Sequence, residues 1–174
     1  VLEFVRLEGK AKKEMEVLNM LAQACFKGNV FDRAELNFKL SLEKAQKLGN
    51  KEVQAQVLDD LGRLCNTVKK YQSAINYLKE GKTLAHQNNL KTREIGILEN
   101  LSMTYMQTSK HKKAFDCLDG ALDIGRKLGD NRGQGLILKK MCDYHRSLKE
   151  YTAAIEKYER GLPKIRKSAV LPIE

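Results

Sequence analysis

Four stretches of this 174-residue chain align without a gap at a spacing of 40 residues. They are Val17-Leu18 with Leu21-Ala22, Val57-Leu58 with Leu61-Gly62, Ile97-Leu98 with Leu101-Ser102, and Ile137-Leu138 with Met141-Cys142. Twelve positions after the small residue of each set stands an alanine: Ala34, Ala74, Ala114 and Ala154. Four positions further comes a large residue, Phe38, Leu78, Leu118 or Tyr158, and then a small one, Ser41, Gly81, Ala121 or Gly161. A repeat of this length is one supersecondary unit that cannot bury its apolar face alone, so successive units must stack.

Apolar residues at i, i+3 and i+4 make both halves of each unit amphipathic helices, and the small residues mark where two helix backbones approach. Turn signals at Lys27-Gly28-Asn29, Thr67-Val68-Lys69, Ser109-Lys110 and Ser147-Leu148-Lys149 separate the two helices of a unit. Gly49-Asn50, Asn88-Asn89 and Gly129-Asp130 separate one unit from the next. The expectation is an all-α array: residues 1–9 the end of a preceding repeat helix, then repeats at 10–49, 50–89, 90–129 and 130–168, and a tail at 169–174. Leu2-Glu3 and Gly9-Lys10 fall 40 residues before Leu42-Glu43 and Gly49-Asn50. The chain therefore reads as a fragment of a longer array. Only two prolines occur, and Pro163 falls inside the expected last helix, where it should kink that helix or shift its packing.

The small–alanine–large–small pattern resembles the tetratricopeptide repeat (TPR) and covers essentially the whole chain. That resemblance implies a right-handed superhelix of stacked antiparallel helix pairs, a TPR-like α-solenoid, with a ligand groove lined by the first helix of each pair. The usual unit has 34 residues and ends in a proline. Here Gln46, His86, Arg126 and Arg166 stand at that position, so the second helix runs on for over a turn. In this the chain is similar to the 40-residue subclass of Pins/LGN-type adaptors, which carry turns like Leu128-Gly129-Asp130.

No catalytic site is visible. Each candidate Ser, Asp or Glu lies on an ordinary helix, with no nucleophile–base pair, metalloprotease helix or paired acids. Cys142-x-x-His145 has the spacing of two zinc ligands, but a structural zinc takes four. Cys142 also occupies the core position of Ala22, Gly62 and Ser102, so packing is the better reading. Gly129 to Gly135 is glycine-rich without a preceding strand or a following Gly-Lys-Ser/Thr, which makes it a helix–helix turn. The widely spaced Cys25, Cys65, Cys117 and Cys142 fit reduced core thiols. No metal or cofactor is implied, no stretch is long and apolar enough to span a membrane, and the chain reads as a cytoplasmic protein.

The expected groove wall carries five basic and five acidic residues, so the formal charge of +10 does not sit there. Candidate partner-binding residues are Gln23, Phe26, Arg63, Asn66, Glu99, Met103, Met106, Lys139, Asp143 and Arg146. Met20, Met103, Met106 and Phe26 fit equally an apolar floor for a peptide and packing between units. The resemblance implies a protein partner, presented as an extended peptide or a helix. The family's clamp for a C-terminal carboxylate needs a Lys/Asn set where this chain has Asn19, Gln23, Asp59 and Arg63, which speaks against that ligand. The excess charge gathers at hairpin tips, at Lys69, Lys70, Lys110, Lys112, Lys113 and Lys149, and at the C-terminus. Those tips define an alternative site, a basic ridge for a polyanion such as RNA, an acidic membrane or an acidic polymer surface. Aromatic residues make up only 6% of the chain, which argues against stacking on single-stranded nucleic acid.

Overall fold

The computed structural model describes residues 2–169. These form eight helices: α1 Leu2–Lys27, α2 Phe31–Lys47, α3 Lys51–Thr67, α4 Tyr71–Gln87, α5 Lys91–Gln107, α6 His111–Lys127, α7 Asn131–Ser147 and α8 Tyr151–Ala169. No strand occurs among the described residues. Helices pack closest within the pairs α1–α2, α3–α4, α5–α6 and α7–α8, and each pair then packs on the next. In addition α3 touches α5 directly, so the first helices of the pairs form the inner wall. This is a TPR-like α-solenoid.

The turn chemistry repeats every 20 residues, at the turns expected within and between units. Asn29, Gly49, Lys69, Asn89, Ser109, Gly129 and Lys149 all have φ between 55° and 69°. At each, the next residue's N–H donates five residues back, as Val30 does to the Cys25 carbonyl at 2.9 Å and Asn50 to the Ala45 carbonyl at 2.9 Å. The left-handed residue itself donates three back, as Asn29 does to Phe26. This pair of bonds satisfies the last carbonyls of one helix and reverses the chain in three residues. Asn50 and Asp130 then cap the following helices, accepting from the Val53 and Gly133 N–H groups.

The unit boundary expected at Gly9-Lys10 is not a turn, because α1 runs through it unbroken. Gly9 is exposed with open space around it. Strong helix formers from Lys10 to Glu16 follow, so one interior glycine costs only about 1 kcal/mol of helix propensity. Pro163 lies inside α8, which continues to Ala169. The expected tail beyond that residue lies outside the described residues.

Three apolar clusters are three copies of one interface. Phe38 of α2 packs with Val57 and Leu61 of α3, Leu78 of α4 with Ile97 and Leu101 of α5, and Leu118 of α6 with Ile137 and Met141 of α7. Burying each such side chain stabilises the fold by roughly 1.5–3 kcal/mol. Alanines 34, 74 and 114 are fully buried where the paired helices cross.

Candidate functional site

The first helices carry a column of polar positions, and the structure joins them across units. Asn100 of α5 donates from Nδ2 to Oδ1 of Asp59 on α3 at 2.7 Å, and Lys140 of α7 lies 3.4 Å from Glu99 of α5. Both contacts link residues 41 apart. One unit earlier, Gln23 of α1 donates to Asp60 at 3.5 Å, and Arg63 closes on the same carboxylate at 3.1 Å. The Arg63 guanidinium also lies 5.7 Å over the Phe26 ring, so a cation–π contact bridges α1 and α3.

Asp59 and Asp60 are both buried. Burial pushes the Asp59 carboxyl up to about 6, against the opposing effect of the Asn100 hydrogen bond. Asp60 is also raised by burial, with Arg63 and Gln23 pulling the other way. Sequence reasoning placed both on the groove wall without assigning them a role. A signal was present, since the adjacent positions 19-20, 59-60, 99-100 and 139-140 are polar throughout apart from Met20. Arg93, which reaches Gln56 at 3.4 Å, lies outside that column and was missed.

The candidate residues divide by exposure. Arg63, Met103, Lys139, Asp143 and Arg146 are exposed, whereas Gln23, Phe26, Glu99 and Met106 are half-buried. Met106 packs against the cluster around Ile97 and Leu101, and Phe26 against that around Phe38. The two readings of the methionines thus separate: Met106 packs between units, while Met20 and Met103 face outward. Asp143 sits between Lys139 at 3.5 Å and Arg146 at 3.3 Å. Asn66 is buried with an Oδ1 that accepts no hydrogen bond and is closed to solvent.

The ridge lysines 69, 70, 110, 112, 113 and 149 are all exposed. Lys69 and Lys149 occupy left-handed turn positions, and Lys70 lies 3.6 Å from Glu35. Lys110, Lys112 and Lys113 crowd the N-terminus of α6, where positive charge opposes the helix dipole.

Cys142 and His145 are engaged in packing. The Cys142 thiol donates to the Ala154 carbonyl at 3.1 Å, while the His145 ring stacks on Phe115 at 4.2 Å and meets Glu150 at 2.6 Å. All four cysteines are free. Burial raises the thiols of Cys65, Cys117 and Cys142 above the ordinary range, which disfavours the nucleophilic thiolate. Among the described residues no helix is long and apolar enough to cross a membrane.

No protein-family model matches the chain, and no curated protein matches it. Solved structures do. BtubC (BKLC) from P. vanneervenii superposes with a TM-score of 0.77 at 18% identity, over 97% of this chain and 76% of that one. A Rap protein complexed with Competence and Sporulation Factor superposes with a TM-score of 0.72 at 17% identity, over 96% of this chain and 49% of that one. The TPR-like repeats of a Podosopora anserina putative kinesin light chain give 0.73 at 14% identity, over 88% of this chain and 76% of that one. At these identities the likeness is one of fold, and the fold shared is that of TPR-like repeat proteins.

Proposed function

We propose that the chain is a cytoplasmic, non-catalytic scaffold or adaptor that holds an extended or helical segment of another protein along the wall of α1, α3, α5 and α7. The observation that carries this reading is the seam of bonds between first helices, Gln23–Asp60, Asn100–Asp59 and Lys140–Glu99. It fixes the wall rigidly while leaving Arg63, Met103, Lys139, Asp143 and Arg146 turned to solvent. A preorganised wall loses little entropy on binding. Arg63, Glu99, Lys139 and Arg146 make the polar contacts, and Asn66, which the sequence offered as a fifth, is buried behind them. Met103 makes the apolar one, and Gln23, Phe26 and Met106 support the surface from behind. The similar Rap structure in complex with Competence and Sporulation Factor supports the reading by analogy of fold. Within TPR-like proteins we place the chain in the 40-residue class that resembles Pins/LGN-type adaptors, with a partner of its own. Reversing charge at Lys139 and Arg146 together should weaken partner binding at least tenfold, the loss of roughly 1.4 kcal/mol or more. Unchanged binding would refute the polar half of the proposal.

One observation favours a second reading. Lys110, Lys112 and Lys113 are gathered where they work against the α6 dipole, a placement that an approaching polyanion would relieve. Binding through the ridge would fall steeply with salt, and binding through the wall would fall less.

A further inference from the structure

Gly96 stands inside α5 with open space where a side chain would be, since a Cβ there meets nothing within 4 Å. The other first helices carry Glu16, Gln56 and Leu136 at the same position. Glycine weakens a helix interior, and no close contact requires it here. What it does is leave a gap in the seam between α3 and α5. On one side of the gap Arg93 bonds to Gln56, and on the other Asn100 bonds to Asp59. The gap opens into a cavity of about 430 Å³ whose lining includes Glu52, Asp59, Leu90, Arg93 and Gly96. Helices α3 and α5 are both packed between neighbouring pairs, so the cavity belongs to the middle of the array.

Asp59 lines this cavity and is only 8% exposed. Its Oδ1 takes the Asn100 bond, and its Oδ2 takes none among the described residues. No cation closes on this carboxylate: Arg63 bonds to Asp60, Arg93 to Gln56 and Lys91 to Glu94. Glu52, exposed at the rim, adds a second negative charge that is in no ion pair among the described residues. A desolvated carboxylate without a counter-charge is costly. Burial accordingly raises the Asp59 carboxyl to about 6, with Asp60 reinforcing the rise and the charges of Arg63 and Arg93 opposing it. We infer that the cavity is a subsite for a cationic side chain, a lysine or arginine of the segment held along the wall, whose charged head donates to Asp59 Oδ2 while its aliphatic stem lies over Gly96 and Leu90. A charge-assisted bond of this kind supplies what the neutral Asn100 amide does not, and the stem of either residue is apolar enough to fill the gap. This inference rests on the reading of the inner wall as the binding surface and names one side chain of its ligand.

Selection from a library of random linear peptides tests it, with the wild-type chain, Asp59→Asn and Gly96→Leu as parallel baits whose helix content is verified by circular dichroism. Peptides selected on the wild type should share a lysine or arginine at one position. Exchanging that residue for norleucine should weaken binding about tenfold on the wild type, a typical loss for a hydrogen bond to a charged group, and should change little on Asp59→Asn. Gly96→Leu keeps the carboxylate but fills the gap with the side chain that α7 carries at Leu136, and it should lose the same preference. For a histidine-free peptide, affinity for the wild type should fall as pH drops through 6, because protonation removes the negative charge, and Asp59→Asn should abolish that dependence. Selected peptides with no shared basic position, or a norleucine loss equal on all three baits, would overturn the subsite and leave the wall reading standing. Failure to select any peptide on the wild type would overturn both.

Discussion

Asn100 reaches across from α5 to hold the buried carboxylate of Asp59 on α3, at 2.7 Å. That single amide does not offset desolvation, so burial leaves the Asp59 carboxyl at about 6. In the folded protein Asp59 thus holds a proton to higher pH than it does in the unfolded chain, where its ordinary value is 3.8. Its favourable contribution is complete below about 4 and is lost as pH rises through 6. Asp59→Asn should therefore raise stability at pH 7 by about 1–3 kcal/mol and flatten the stability profile between pH 4 and 6. Thermal denaturation across that range checks both. A less stable variant at pH 7 would mean that the ionised carboxylate is well compensated.

Gly62 is held by Leu78 of the partner helix. A Cβ on Gly62 would fall 2.4 Å from the Leu78 Cγ, whereas one on Gly96 would meet nothing within 4 Å. Gly62→Ala should destabilise by about 1–3 kcal/mol through overpacking. Gly96→Ala should stabilise by about 0.5–1 kcal/mol through helix propensity. Urea denaturation of the two variants should move the midpoint in opposite directions.

Lys69 and Lys149 sit in the left-handed region at φ of 60° and 62°, which costs an L-residue about 1–2 kcal/mol. Lys69→Gly and Lys149→Gly should each stabilise by about 0.5–1 kcal/mol after the extra freedom of glycine in the unfolded chain is counted. Gly49→Ala and Gly129→Ala, at φ of 66° and 69°, should destabilise by a similar amount. Calorimetry comparing the four variants checks the pairing of signs.

Helix pairing and stacking were legible in the sequence because the buried positions recur at fixed spacing: Ala34, Phe38, Val57 and Leu61 announce an interface that Ala74, Leu78, Ile97 and Leu101 repeat. The turns were legible as well, at intervals of about 20 residues; their shared left-handed backbone was not, because Gly, Asn, Ser and Lys all serve at that position and only φ unites them. Continuity of α1 through Gly9 was likewise unreadable, since a glycine permits a turn without requiring one. The site was legible as a wall. Which wall residues bond to one another was not, because Asp59–Asn100 and Glu99–Lys140 depend on the offset between stacked helices, which no single unit encodes. The distinction between Met103 and Met106 follows from the same offset.

The central claim, that the inner wall rather than the tip lysines binds a protein, is tested most directly by affinity capture from a nuclease-treated cytosolic lysate at physiological and raised salt. Three baits are compared: the wild-type chain, the Lys139→Glu and Arg146→Glu double variant, and a Lys110→Glu, Lys112→Glu and Lys113→Glu ridge variant. The account predicts a discrete protein partner that survives raised salt on the wild-type and ridge-variant baits and is lost from the wall variant. Retention by the wall variant, with loss from the ridge variant or on raising the salt, would contradict it and move the binding site to the ridge.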